Sequence, residues 1–220
     1  MSTTTSHETI VNCLGAPWPE DLSPSFLDRL RGQGVAIVGC TGNLTWDDTL
    51  ESIENFEAVK SIVRDHPHAY ILRGAADLDR DENRGKVGVL LGLQNPKPLG
   101  DSLRLLDAFF DLGLRCLALA FNENSYYGCG YASEVDTGLT SLGRKAIERM
   151  NQIGVVIDLS HSGDRTAMEA LEFSELPVIF SHSTSRALFN RPRSAPDPLI
   201  VAAAKKGGVI CQDVRANTSV

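Results

Sequence analysis

Apolar residues along this chain gather in short runs, each followed by a polar loop and then by a segment with apolar residues every three or four positions. The runs are Ile10–Leu14, Val35–Cys40, Val87–Leu93, Cys116–Phe121, Val155–Leu159, Val178–Phe180 and Val209–Cys211. They are rich in β-branched or small residues and read as apolar on both faces, which predicts strands of a parallel sheet covered by helices. The intervening segments predict six helices. Ser23-Pro24 opens one that ends near Gly32, with Phe26, Leu27 and Leu30 on one face. Asp47 or Asp48 starts a longer one through Val63, closed by Pro67. Leu103, Leu106, Phe109 and Phe110 stripe a third over Asp101–Leu112, and Leu142, Ala146, Met150 and Ile153 a fourth, stopped by Gly154. Asp164 is read as the cap of a fifth, burying Met168 and Leu171, and Pro198–Lys206 forms the sixth. Regular strand–helix alternation implies right-handed βαβ units, which either a doubly wound sheet or a (β/α)8 barrel satisfies.

The chain has 220 residues, which suits a single domain over 1–220, and 42% of them are hydrophobic, enough for an ordinary core. A net charge of −7 repels polyanions, so nucleic acid and anionic membranes are poor partners. The longest apolar stretches, such as Val87–Leu93, fall well short of the ~20 residues that span a bilayer, so no membrane span is expected. Residues 1–8 show neither a basic start nor an apolar signal core, which places the expected compartment in the cytoplasm. Cys13, Cys40, Cys116, Cys129 and Cys211 are odd in number and lack CxxC spacing, and most fall in apolar runs, so they read as small buried hydrophobes rather than a disulfide framework. Cys129 differs, lying in the Gly-rich loop Tyr127–Tyr131, which leaves room for exposure and function, although a loop thiol with no role is the plainer reading.

In parallel α/β folds chemistry sits where strands end and loops begin. Two strand ends finish in Ser-His: Asp158-Leu159-Ser160-His161 and Phe180-Ser181-His182. Imidazoles on consecutive strands, about 4.8 Å apart, can converge on one cation, with nearby Ser or Asp groups orienting the rings. The plain alternative is a pair of strand-end histidines satisfied by backbone carbonyls. Asp158, inside its strand, reads as a hydrogen-bonding partner of backbone or of a ligating histidine rather than as a catalyst. His66 and His68 flank Pro67 and read as a solvated turn. Arg191-Pro192-Arg193 could clamp a carboxylate through paired hydrogen bonds, and Gln94, Asn95 and Asn122 supply amides at strand ends. Glu123, Glu134 and Asp136 are loop acids of the kind that is usually just solvated.

From about Gly85 to Gly208 the residues resemble the membrane (renal-type) dipeptidases. The likeness is densest in Asp136-Thr137-Gly138-Leu139-Thr140, Gly154 to His161, Pro177 to Ser183 and Arg193 to Asp197, with His161 and His182 21 positions apart. The resemblance implies a (β/α)8 barrel of TIM type, here lacking its last strand and helix with about seven strands present, and a hydrolase that cleaves dipeptide-type amides with a metal-activated water. It implies His161 and His182 as zinc ligands and Arg193 as the group that holds the substrate's carboxylate. Gln94 stands where the family has a bridging glutamate, Leu14 and Ala16 where it opens with His-x-Asp, and Phe121 or Asn122 where it has a substrate-side histidine. One zinc ion at most follows, rather than two, because a neutral amide does not hold two dications together. Gln94 and Asn122 then join Arg193 as substrate-binding residues. The alternative reading is a catalytically inactive or truncated relative that binds a small ligand. A barrel short of one strand also leaves two edges unpaired, which favours a homo-oligomer or further chain covering them.

Overall fold

A computed structural model describes residues 10–16, 19–43 and 46–212. Its strands are β1 (Ile10–Ala16), β2 (Val35–Thr41), β3 (Ala69–Ile71), β4 (Val87–Leu93), β5 (Leu114–Ala118), β6 (Val156–Asp158), β7 (Ile179–Ser183) and β8 (Val209–Gln212). All pairs are parallel, and the order β1-β2-β4-β5-β6-β7-β8 follows the chain without reversal. A doubly wound sheet would reverse its order partway, so this succession selects the barrel. The path of seven strands curls into a nearly closed barrel, with β1 approaching β7 and Cys13 on β1 joined to Cys211 on β8.

That cystine corrects the reading of Cys13 and Cys211 as apolar filler: residues 198 positions apart meet only because the barrel brings its first and last strands together, with Cα atoms 6.5 Å apart. Cys40, Cys116 and Cys129 are buried free thiols, so the loop position of Cys129 does not expose it. β3 was not expected. It is three residues long and lies on the edge of β4 opposite β2, pairing Val87 to Val89 before β5 takes over at Leu91. His66, just ahead of it, is buried with Nε2 3.4 Å from Asp28 Oδ1, not solvated in a turn.

The helices are α1 (Pro24–Gly32), α2 (Thr49–Asp65), α3 (Leu103–Leu112), α4 (Ser141–Ile153), α5 (Asp164–Phe173) and α6 (Asp197–Lys205). Local chemistry fixes their starts. Ser23 Oγ accepts from Phe26 N at 3.2 Å, and Asp48 accepts from the backbone of Leu50 and Glu51 while the Glu51 side chain returns to Asp48 N at 2.8 Å. Gly154 ends α4 in the left-handed region, φ 80°, where a side chain would be strained. α5 corrects its expected cap, because Asp164 turns outward to Arg186 at 2.6 Å and the capping acceptor comes from far away. Asp136 reaches the first turn, accepting from Arg165 N (2.7 Å), Thr166 N (3.2 Å) and Thr166 Oγ1 (2.8 Å). Gly163 makes room, since a Cβ there would meet Asp136 Oδ2 at 2.3 Å.

Asp136 is therefore a helix brace rather than a solvated acid, and its ionisation carries a stability signature. Burial pushes its carboxyl up, but the hydrogen bonds from Thr166, Gly138 and Arg165 together outweigh burial and hold it below the usual range. A depressed folded value contributes stability above the unfolded pKa of about 3.9, and the contribution disappears as pH falls through the folded value. Asp136→Asn is expected to cost about 1 kcal/mol at pH 6, and urea midpoints of variant and wild type should converge on acidification below pH 4. A gap that is constant with pH would show that the charge is not what braces α5.

The core lies between sheet and helices. In β4, Val87, Val89 and Leu91 are fully buried, and Phe56 of α2 meets Phe109 of α3 edge to face with centroids 5.4 Å apart. No helix among the described residues is long and apolar enough to cross a membrane.

Candidate active site at the carboxyl ends of the strands

β6 ends at Asp158, and the chain leaves it through Leu159 and Ser160 to His161, while β7 carries Ser181 and His182 just before its end at Ser183. The two imidazoles meet: His161 Nε2 lies 2.8 Å from His182 Nε2. His161 is thus in the loop beyond the strand rather than at its tip, and it is the one non-glycine among the described residues in the left-handed region, φ 67°. Such a conformation costs energy and persists only where surrounding contacts enforce it. Here they do. Its carbonyl accepts from Tyr131 N at 2.8 Å, its Nδ1 is 2.8 Å from Asn122 Oδ1, and Phe121 stacks on its ring at 4.3 Å between centroids.

The segment from Phe121 to Tyr131 folds back over the β5 end to make these contacts. Gly130 bridges Ser162, and a Cβ at 130 would lie 2.0 Å from the Phe121 carbonyl and 2.3 Å from that of Asn122, so only glycine permits the approach. Behind the rings, Asp158 is buried. Its Oδ1 accepts from Ser160 N (2.9 Å) and Ser181 N (3.0 Å), its Oδ2 meets Ser181 Oγ, and Ser181 Oγ lies 2.6 Å from His182 Nδ1.

Arg193 Nη2 is 3.2 Å from His161 Nε2. Burial first, then the neighbouring His182 and Arg193, holds the His161 imidazole well below its ordinary pKa, so at neutral pH it is the uncharged form able to accept or ligate. His161, His182, Arg193, Gln94 and Asn122 all line one cavity of about 1070 Å³. Gln94 enters it already engaged: its backbone N–H donates to Asn43 Oδ1 at 3.0 Å and its Nε2 donates to Thr41 Oγ1 at 2.9 Å. Leu14 lines the same cavity. Arg191 is turned onto the Phe189 ring, 4.7 Å from its centroid. Thr41 and Asn43 were not singled out from sequence, although two polar residues closing an apolar run were a signal that β2 also ends at this face.

Among the described residues no group of three His, Cys, Asp or Glu comes together. Among the described residues that line the mouth, the donors are two imidazoles with amides nearby, and none of them is a carboxylate. Two imidazoles aimed at one point fit a single cation, whereas a pair of dications needs an anionic bridge that Gln94 does not provide.

Fold and site together define an α/β barrel in which two histidines meet at the carboxyl ends of adjacent strands. The chain belongs to the membrane dipeptidase family: residues 21–217 match the family described as Membrane dipeptidase (Peptidase family M19). It is 32% identical over 201 residues to Dipeptidase 3 of Rattus norvegicus, covering 84% of this chain and 39% of that protein. It is 33% identical over 165 residues to Dipeptidase tcpJ of Claviceps purpurea, covering 74% of this chain and 38% of that one. Among solved structures, an amidohydrolase from Pseudomonas aeruginosa superposes with a TM-score of 0.84 at 28% identity, covering 93% of this chain and 62% of that chain. The probable dipeptidase PvdM from the same organism gives 0.75 at 25% identity, over 84% of this chain and 52% of its own. The chain spans roughly two fifths of the length of the curated relatives it matches, 39% and 38%.

Proposed function

We propose that this is a dipeptidase-type hydrolase of small peptide-like amides, with His161 and His182 holding one zinc ion and Arg193 holding the substrate's terminal carboxylate. The observation that carries the reading is the meeting of the two Nε2 atoms at 2.8 Å in the mouth of the barrel. A zinc ion bound there would supply Lewis-acid chemistry, polarising a carbonyl and lowering the pKa of water. The chain's own residues do the rest. Arg193 offers a planar fork that matches a carboxylate in two parallel hydrogen bonds. Asn122 steadies the His161 ring, and Gln94, tied to Thr41, adds an amide to the wall against which a peptide bond would lie.

The test is elemental analysis of the purified protein together with hydrolysis of a panel of dipeptides. About one zinc per chain and metal-dependent cleavage are expected. Arg193→Ala should raise KM about 10- to 100-fold with a smaller effect on kcat, since charge-assisted hydrogen bonds contribute about 1.5–3 kcal/mol each. An unchanged KM would remove Arg193 from the substrate.

A second reading has its own support. The lack of a third His, Cys, Asp or Glu at the pair among the described residues favours a non-catalytic relative that binds small carboxylated ligands. Dipeptide binding by calorimetry without turnover, abolished by Arg193→Ala, would select it over the hydrolase.

A further inference from the structure

We infer that Cys13 and Cys211 form a reversible oxidation site in the wall of the main cavity, one that exchanges with small thiols and sets how firmly the seam of the barrel is held. Neither a metal ion nor a substrate at the mouth is needed for it.

Strand order creates the seam. β1 and β8 are the two ends of the path β1-β2-β4-β5-β6-β7-β8, and among the described residues no strand pairing joins one to the other. β1 pairs only with β2 on that path, and β8 only with β7. Two edges that share no ladder of backbone hydrogen bonds are left to side-chain packing and to the one covalent bond between them. Packing seals this seam poorly, because Ile10 and Val11 on β1 and Val209 on β8 remain exposed. The Cα atoms of Cys13 and Cys211 are 6.5 Å apart, within the span of about 4.4–6.8 Å that a cystine bridges. With 198 positions between them in sequence, the bond closes most of the described chain into one loop, the case in which a cross-link restricts the unfolded chain most.

The five cysteines divide sharply by access. Cys13 and Cys211 are half-buried and both line the cavity of about 1070 Å³, so a small thiol that enters it meets this pair. The other three are shut off. Cys40 is 2% exposed, and burial first, then Asp21 and Glu20, pushes its thiol up to about 12. Burial, with Asp158 adding to it, raises the Cys116 thiol well above its ordinary range. Cys129 is 4% exposed, its sulfur 3.4 Å from Thr137 Oγ1. Thiols that are sealed or held un-ionised do not exchange, which leaves one pair open to redox chemistry.

Reduction runs through two exchanges. A thiolate of the small reductant attacks one sulfur, the S–S bond breaks, and its electron pair leaves with the other cysteine, which takes up a proton. A mixed disulfide remains. A second thiol attacks it, releases the small disulfide and frees the second cysteine thiol, so two small thiols are oxidised while the cystine is reduced. Asn12 and Leu14 of β1 and Gln212 of β8 line the same cavity, so the freed seam also loosens the wall of the mouth.

The test uses the full chain equilibrated with oxidised or reduced glutathione. Peptide mapping without reductant should recover Cys13 linked to Cys211 from the oxidised protein, and native alkylation after reduction should label these two positions ahead of Cys40, Cys116 and Cys129. Reduction should lower Tm by about 5–15 °C and speed amide hydrogen exchange within 10–16 and 209–212 more than within 87–93. The double variant Cys13→Ser/Cys211→Ser should match the reduced wild type and ignore the thiol. Should that variant not fold, the wild type carried between the two glutathione conditions bears the test alone. Absence of the 13–211 link from the oxidised protein, or equal Tm in the two redox forms, would overturn the site. A thiol effect that persists in the folded double variant would do the same.

Discussion

Replacing His161 and His182 together by alanine should yield a folded protein that retains no zinc after dialysis and shows no metal-dependent cleavage. The expected loss in zinc affinity exceeds 1,000-fold, because the two imidazoles are the strong donors that the described residues bring to the point where they meet, and each is worth several kcal/mol to a bound ion. Each single variant should lose most of that affinity, since one imidazole assisted by amides is a weak site. Folding should survive, because His182 is only half-buried and the bond from Tyr131 N to the His161 carbonyl remains when the ring contacts are lost. Zinc content measured on wild type and double variant decides the matter: equal content would place the metal elsewhere, and no content in either would leave the small-ligand reading standing.

The second large effect concerns stability. Phe56→Ala should lower the unfolding free energy by about 3–5 kcal/mol, read from urea midpoints at unchanged slope. Phe56 is fully buried, packs edge to face on Phe109, and covers Gly42 so closely that a Cβ there would lie 2.0 Å from the ring. Removing it opens a cavity bounded by two helices and the end of β2, elements that cannot collapse together without dragging the barrel. A cost under 1 kcal/mol would mean that α2 repacks and contributes little to the core.

Hydrophobic pattern made most of the barrel readable. β4 occupies Val87–Leu93 as its apolar run does, and the capping signals at Ser23 and Asp48 start α1 and α2. β3 escaped because three residues after a helix end carry too little periodicity to register. The histidine pair was legible because Ser-His recurs at consecutive strand ends. What could not be read was anything joined across the fold: Asp136 bracing α5, Cys13 beside Cys211, and Gly130 under the carbonyls of Phe121 and Asn122. These contacts link residues whose own neighbours in sequence give no sign of the partner.

Gly130 has one more consequence. Because the segment holding Phe121 and Asn122 against His161 is clamped where it crosses Ser162, its length and the tilt of the imidazole behave as a single bracket. Loops elsewhere on this barrel can be lengthened by protein engineers at little cost, but an insertion of one residue between 122 and 130 would be felt first as a misaimed nitrogen and only afterwards as a change in the loop itself.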